Sequence, residues 1–179
     1  MNITKIIQHY KPAQDYYELE KVIEKVKPLN PKIIVEIGLY QCRLLKICEE
    51  IFCPDLQIGI DDTKEAIEYA KKLNAKAIIL APVKSQDEKT IQKVLKILNG
   101  DKIDFLIIDG DHRYDYVKKD FEIYQQFINK RSFIMFHDIA VSNDDPSFCE
   151  VQRYWESIKR DYNHFEVVKS VGTGLIINE

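Results

Sequence analysis

Ile103-Asp-Phe-Leu-Ile-Ile-Asp-Gly-Asp-His112 is the stretch on which the fold turns. Ile103, Phe105, Leu106, Ile107 and Ile108 make a short apolar run without polar alternation, the pattern of a strand buried on both faces. The run stops abruptly in Asp109-Gly110-Asp111-His112, which sets three ionisable groups and a glycine at the strand's carboxyl end. The pattern returns at Phe133-Ile-Met-Phe136, which leads straight into His137-Asp138. If both strands run parallel in one α/β sheet, their polar tips share a rim, and the carboxyl rim of an open α/β sheet is where ligands bind. Acidic residues often do no more than end a strand. Two tips, each pairing a histidine with an acid, point to a site.

Upstream, Lys32-Ile-Ile-Val-Glu-Ile-Gly38 reads as a first strand closed by a glycine that lets the backbone turn. The helix over residues 42–52 buries Leu44, Leu45, Cys48, Ile51 and Phe52. Strand, glycine and helix in that order make a nucleotide-type loop, although a single glycine is a weak form of the motif. Leu56-Gln-Ile-Gly-Ile60 is a second strand followed by Asp61-Asp62. Asp62-Thr-Lys-Glu65 fits a helix-capping box, which leaves Asp61 free at the strand tip, where α/β nucleotide folds place a ribose-binding acid. Residues 76–80 read as a third strand, and Ser85-Gln-Asp-Glu88 as a second capping box opening a helix.

The remaining pattern is helical and closing. Residues 15–27 form an amphipathic N-terminal helix with Glu and Lys on its outer face. Residues 114–128 and the segment from Phe148 to Ile158 carry aromatic stripes at core spacing. Asp138 to Pro146 reads as a polar lip over the rim. Strands near 165–168 and 174–177 pair antiparallel across the Gly172-Thr-Gly174 turn. The sum is a three-layer α/β sandwich.

Composition narrows the function. With 45% hydrophobic and 31% charged residues in 179, the chain suits one soluble domain with a real core, 1–179, in which 1–30 is an N-terminal helical extension. A net charge of −3 without basic blocks gives no field for nucleic acid. No apolar run reaches the roughly 20 residues of a membrane span. The start lacks a signal-peptide pattern, and Cys42, Cys48, Cys53 and Cys149 form no Cys-x-x-Cys pair, so a cytoplasmic protein with free thiols is expected and a zinc site is not. Homo-oligomerisation is left open.

Taken together, Val35-Glu-Ile-Gly38, Ile58-Gly-Ile-Asp61, Ser85-Gln-Asp87, Ile107-Ile-Asp-Gly-Asp-His112 with Tyr114 and Asp120, Phe136-His-Asp138 and Val151-Gln-Arg-Tyr-Trp155 resemble the class I S-adenosylmethionine-dependent methyltransferases. The similarity is greatest to the branch of small-molecule O-methyltransferases and cephalosporin-hydroxylase-like proteins. It implies a Rossmann-like, mostly parallel seven-stranded sheet in the order 3-2-1-4-5-7-6, with strand 7 antiparallel. It implies S-adenosylmethionine resting on Glu36, Gly38, Tyr40, Asp61, Ser85 and Asp109. It also implies a divalent ion, Mg²⁺ or Mn²⁺, on Asp109, His137 and Asp138, with His112 as general base.

That set is chemically coherent. Methyl transfer is an in-line displacement that needs the acceptor oxygen held close and relieved of its proton. A metal acidifies a chelated hydroxyl, and a histidine can accept its proton near neutrality. Two carboxylates suit Mg²⁺ or Mn²⁺, while His137 leans away from magnesium. Three places depart from the resemblance. Cys42 and Arg43 stand where the branch has small residues, Lys84 replaces an acid before Ser85, and Asn129-Lys-Arg-Ser132 replaces a Pro-Gly-Gly turn. Side chains at 42 and 43 are expected either to crowd the cofactor or to let Arg43 take an anionic group at a helix N-terminus. The alternative function is therefore a non-catalytic or cofactor-altered binding protein on the same fold.

Overall fold

The computed structural model describes residues 2–141 and 149–178. Its seven strands are β1 (Ile33–Ile37), β2 (Leu56–Ile60), β3 (Ile78–Leu80), β4 (Ile103–Ile108), β5 (Ile128–His137), β6 (His164–Val167) and β7 (Thr173–Asn178). They form one sheet in the order β3-β2-β1-β4-β5-β7-β6. The first five run parallel, and β7 lies antiparallel between β5 and β6. The helices are α1 (Ile3–Tyr10), α2 (Tyr16–Val26), α3 (Arg43–Phe52), α4 (Glu65–Lys72), α5 (Glu88–Leu98), α6 (Tyr114–Tyr124) and α7 (Val151–Ile158).

Alternation along the central strands builds the two outer layers. In β1 and β4, Val35, Ile37, Leu106 and Ile108 face one side, where Val94, Leu98, Val117, Phe121, Tyr154 and Trp155 of α5, α6 and α7 cover them. Ile34, Phe105 and Ile107 face the other side, against Leu19, Val22, Ile23, Val26, Leu44, Ile47 and Phe52 of α2 and α3, with Ile7 of α1. The apolar run Phe105–Ile108 of β4 thus follows from its place between two helical layers. Trp155 packs so close to β7 that a side chain at Gly174 would meet its ring at 2.7 Å. None of the described helices is long and apolar enough to cross a membrane.

Several local expectations are corrected. Residues 3–10 form a helix the sequence reading passed over, capped by Asn2, whose side chain accepts from Lys5 N–H at 3.2 Å. β5 begins at Ile128 instead of 133, so Asn129-Lys-Arg-Ser132 is a strand extension, exposed at Asn129, Lys130 and Arg131 and buried at Ser132, and not a turn. Neither capping box forms. α4 begins at Glu65 without a side-chain cap, and α5 is preceded by Asp87, with Ser85 hydrogen-bonded elsewhere. Glu18, expected on the solvent face of α2, is fully buried. The middle of the expected lip and Phe148 fall among residues 142–148, outside the described residues.

Candidate functional site

The carboxyl ends of β1, β2, β4 and β5 meet on one rim, and backbone bonds lock them in register. Gly38 N–H donates to Ile60 carbonyl and Asp109 N–H to Ile37 carbonyl, each at 2.9 Å. Gly38 is obligatory: its φ is +83°, and an added Cβ would lie 2.1 Å from the Asp109 carbonyl oxygen. Beyond it Tyr40 and Cys42 also adopt positive φ, so the loop from Gly38 to α3 is coiled tightly under the rim. Asp61 pins that loop. One carboxylate oxygen accepts from Leu39 N–H at 2.8 Å and Tyr40 N–H at 3.3 Å, and the other accepts from the Thr63 N–H and hydroxyl at 2.8 and 2.6 Å.

A cavity of about 610 Å³ opens over this loop, between Gly38, Tyr40 and Asp61 on one side and Ser85, Asp109 and Tyr116 on the other. Its volume falls in the roughly 300–1,000 Å³ range of small-ligand sites. Ser85 donates its hydroxyl proton to Asp120 at 2.6 Å, and Gln86 donates to the same oxygen at 3.3 Å. Burial pushes the Asp120 carboxyl up to about 6 against those two bonds. Lys84 lines the same wall. Cys42 does not enter the cavity. Its thiol is fully buried against Leu45, Ala66 and Ala70 and donates to the Ala66 carbonyl.

A second hollow of about 160 Å³ adjoins the first, sharing Gly38, Tyr40 and Asp109 with it. Glu36, Arg43, His137 and Gln14 complete its wall. Glu36 is 1% exposed, and its Oε2 has no hydrogen-bond partner among the described residues. Burial, with the charges of Asp109 and Asp61, raises its carboxyl well above the usual range and so disfavours its charged form. Arg43, at the first turn of α3, donates to the Lys11 carbonyl at 2.5 Å. It therefore borders the small hollow and leaves the large cavity open.

At the β4 and β5 tips, four side chains knot together. His137 Nδ1 lies 3.2 Å from Asp109 Oδ1 and 3.3 Å from Asp138 Oδ2. His112 sets Nε2 3.4 Å from Asp109 Oδ1 and Nδ1 3.2 Å from Asp138 Oδ2. Asp138 itself has φ +64°, an uncommon conformation for a non-glycine residue and one that occurs at functional sites. Hydrogen bonding to Asp109 and Cys149 pushes the His112 imidazole up to about 10. Burial would lower His137, but Asp109 and Asp138 outweigh it and carry that ring also to about 10. Asp109, although buried, is held well below the usual carboxylate range by the two rings. Its second oxygen accepts from Gln14 Nε2 at 2.6 Å.

The knot has the chemistry of a cation site. Asp109, His137 and Asp138 offer one ligand atom each, all within 4.8 Å of one another. Atoms about 2.1 Å from an ion lie roughly 3.0 Å apart in octahedral and 3.4 Å apart in tetrahedral geometry, close to the contacts in the knot. The ring of His137 meets both acids through Nδ1, while its buried Nε2 has no hydrogen-bond partner among the described residues.

All the residues singled out in the sequence reach this rim. Gly38, Tyr40, Asp61, Ser85 and Asp109 line the large cavity, Glu36 and His137 the small one; His112 joins them through Asp109, and Asp138 through His112 and His137. Gln14, Thr63, Tyr116 and Cys149 were missed. Gln14 and Cys149 lie 95 residues before and 11 after their partners, Asp109 and Asp138, and no motif spacing links them.

A Rossmann-like α/β sheet with a ligand rim of this kind defines the class I methyltransferase fold. Residues 35–139 match the methyltransferase domain family, and the chain belongs to it. The R132 protein of Acanthamoeba polyphaga mimivirus, itself uncharacterized, is 43% identical over 54 residues, 30% of this chain and 24% of its own. The uncharacterized y4gI protein of Sinorhizobium fredii is 27% identical over 144 residues, 74% of this chain and 16% of its own. The matches thus span about a quarter and a sixth of those relatives. A candidate caffeoyl-CoA O-methyltransferase from Staphylococcus aureus superposes with a TM-score of 0.77 at 19% identity, over 100% of this chain and 93% of that one. An O-methyltransferase from Bacillus cereus in complex with SAH gives 0.69 at 13%, over 98% and 90%. The MycE methyltransferase of mycinamycin biosynthesis, in complex with Mg, SAH and mycinamycin VI, gives 0.74 at 11%, over 99% and 53%. At these identities the likeness is one of fold.

Proposed function

We propose that the protein is a cytoplasmic S-adenosylmethionine-dependent methyltransferase that transfers the methyl group to a hydroxyl of a small molecule with the help of a divalent ion. Residues 1–179 are taken as one such domain, in which 1–30 is an N-terminal helical extension. The observation that carries the reading is the meeting of the two cavities at Gly38, Tyr40 and Asp109, directly beside the acid–imidazole knot. A nucleoside cofactor in the large cavity then has its reactive end within reach of a metal-held hydroxyl. Magnesium in the MycE complex and SAH in the Bacillus cereus complex are in keeping with both parts.

The roles follow from the surroundings. Asp61, already accepting the loop N–H groups, presents its carboxylate to the cofactor's ribose, while Ser85 and Tyr116 border the base. Glu36, buried beside Gly38, meets the cationic end of the cofactor, and Arg43 at the α3 N-terminus meets its carboxylate. A divalent ion on Asp109, His137 and Asp138 would supply charge that acidifies a chelated hydroxyl. His112, free to lose its own proton once a cation offsets the two aspartates, accepts the hydroxyl proton.

Titration calorimetry with S-adenosylhomocysteine tests the first part, with and without Mg²⁺ or Mn²⁺. Binding that is lost in Asp61→Ala is expected. Absence of binding under every metal condition would overturn the methyltransferase reading and leave the alternative, a cofactor-altered binding protein. The inward turn of Cys42 and the placement of Arg43 outside the large cavity weigh against that alternative.

A further inference from the structure

Cys149 has no part in the reading above, yet it is built into the same rim. It is 3% exposed, and its neighbour Glu150 is tied to the His112 loop by two hydrogen bonds. Glu150 N–H donates to the His112 carbonyl at 2.8 Å, and Tyr114 N–H donates to the Glu150 carboxylate at 3.0 Å. These bonds bring the thiol sulfur, an imidazole nitrogen of His112 and a carboxylate oxygen of Asp138 within 4.8 Å of one another. Asp138 also belongs to the Asp109–His137–Asp138 group. Two three-residue ligand sets thus share one carboxylate, and together they bring two imidazoles and a thiol to the rim. The adjoining His137 ring, more than nine-tenths buried, still has a ring nitrogen unpartnered among the described residues.

That donor set is wrong for magnesium, which takes oxygen ligands and retains waters. Imidazole suits zinc, iron, cobalt and copper, and thiolate is the softest ligand a side chain offers. We propose that His112, Asp138 and Cys149 form a binding site for a thiophilic divalent ion, Zn²⁺ above all, which makes this rim a transition-metal centre. The inference rests on the rim being a metal site, but not on methyl transfer. Binding requires the thiol to become a thiolate and His112 to be neutral, and both protons leave to solvent. His112 as a ligand no longer accepts the hydroxyl proton; the ion's own acidifying effect then replaces the base assigned above.

The test uses Co²⁺ as a spectroscopic stand-in for Zn²⁺, added anaerobically to the full chain. A thiolate-to-cobalt charge-transfer band in the near ultraviolet is expected, displaced by equimolar Zn²⁺ and unmoved by the same concentration of Mg²⁺. The band should vanish in Cys149→Ser and persist in Cys53→Ser, which removes the exposed thiol. Should Cys149→Ser fold poorly, His112→Asn, altered at a one-third-exposed side chain, should weaken Co²⁺ binding at least tenfold. No near-ultraviolet band, a band that survives Cys149→Ser, or full affinity in His112→Asn would overturn the proposal. S-adenosylhomocysteine titrated into the same samples separates the two readings. Cofactor binding without the band removes only the thiol site, and the band without cofactor binding removes only the methyltransferase.

Discussion

Asp61 and Asp62 show what a single residue's neighbours can change. Sequence reading gives Asp62 the structural task and Asp61 a ligand-binding one, yet Asp61 holds the Gly38 loop while α4 begins without a side-chain cap. The two acids are interchangeable by pattern. Only the strand register decides which carboxylate turns under the loop. Gln14 was invisible for a related reason: its partner Asp109 is 95 residues away, and a glutamine in a linker carries no signal. Its bond occupies Asp109 Oδ2 and turns Oδ1 toward both histidines. Gln14 therefore positions Asp109, the ligand proposed above for a divalent ion. Gln14→Ala should weaken Mn²⁺ binding about 10- to 100-fold, as the loss of such an orienting partner does elsewhere. Calorimetry would measure it, with a melting temperature near that of the parent excluding general damage.

At the level of elements, type was legible and boundaries less so. β1, β2 and β4 announce themselves because both faces are buried, which leaves a single polar residue in each run (Glu36, Gln57 and Asp104) and too little alternation to blur the pattern. The first half of β5 is hidden because Asn129, Lys130 and Arg131 are exposed on a segment that extends beyond the core. α1 was missed because eight residues carry too little periodicity to stand alone; it exists by packing Ile7 into the α2–α3 layer. What fixes α2 is equally nonlocal. Glu18, wholly buried, accepts backbone N–H bonds from Lys169 at 2.6 Å, Ser170 at 2.5 Å and Gly172 at 3.1 and 3.2 Å, in the β6–β7 connection. Glu18→Ala would leave those donors without their acceptor and should cost on the order of 3 kcal/mol, measured by urea unfolding. Glu18→Gln keeps an acceptor oxygen and should cost less. Because Gln14 lies one turn upstream, both variants should also loosen Mn²⁺ binding, Glu18→Ala the more.

Across the whole molecule, the rim concentrates charge that the fold cannot leave unpaired. Glu36, Asp61, Asp109 and Asp138 converge at the ends of four adjacent strands, and among the described residues the cationic groups that answer the last two directly are His112 and His137. Without a cation, the cheapest solution is to protonate both rings, which is why each is pushed to about 10 from an ordinary value near 6.5. The sign of the consequence is fixed. A histidine whose pKa is raised by folding lends stability in full below its unfolded value and loses it as pH climbs toward the folded one. The metal-free protein should therefore lose thermal stability steadily between about pH 6.5 and 10. A divalent ion held as proposed above would replace those protons, so its affinity should rise about tenfold per pH unit for each proton released. The gap in melting temperature between Mn²⁺-loaded and metal-free protein should accordingly widen from pH 6.5 to pH 8.5, and calorimetry in buffers of different ionisation enthalpy should count the protons expelled. A gap that stays constant across that range would mean that the two histidines enter the site already neutral, and that the ion is held without displacing either proton.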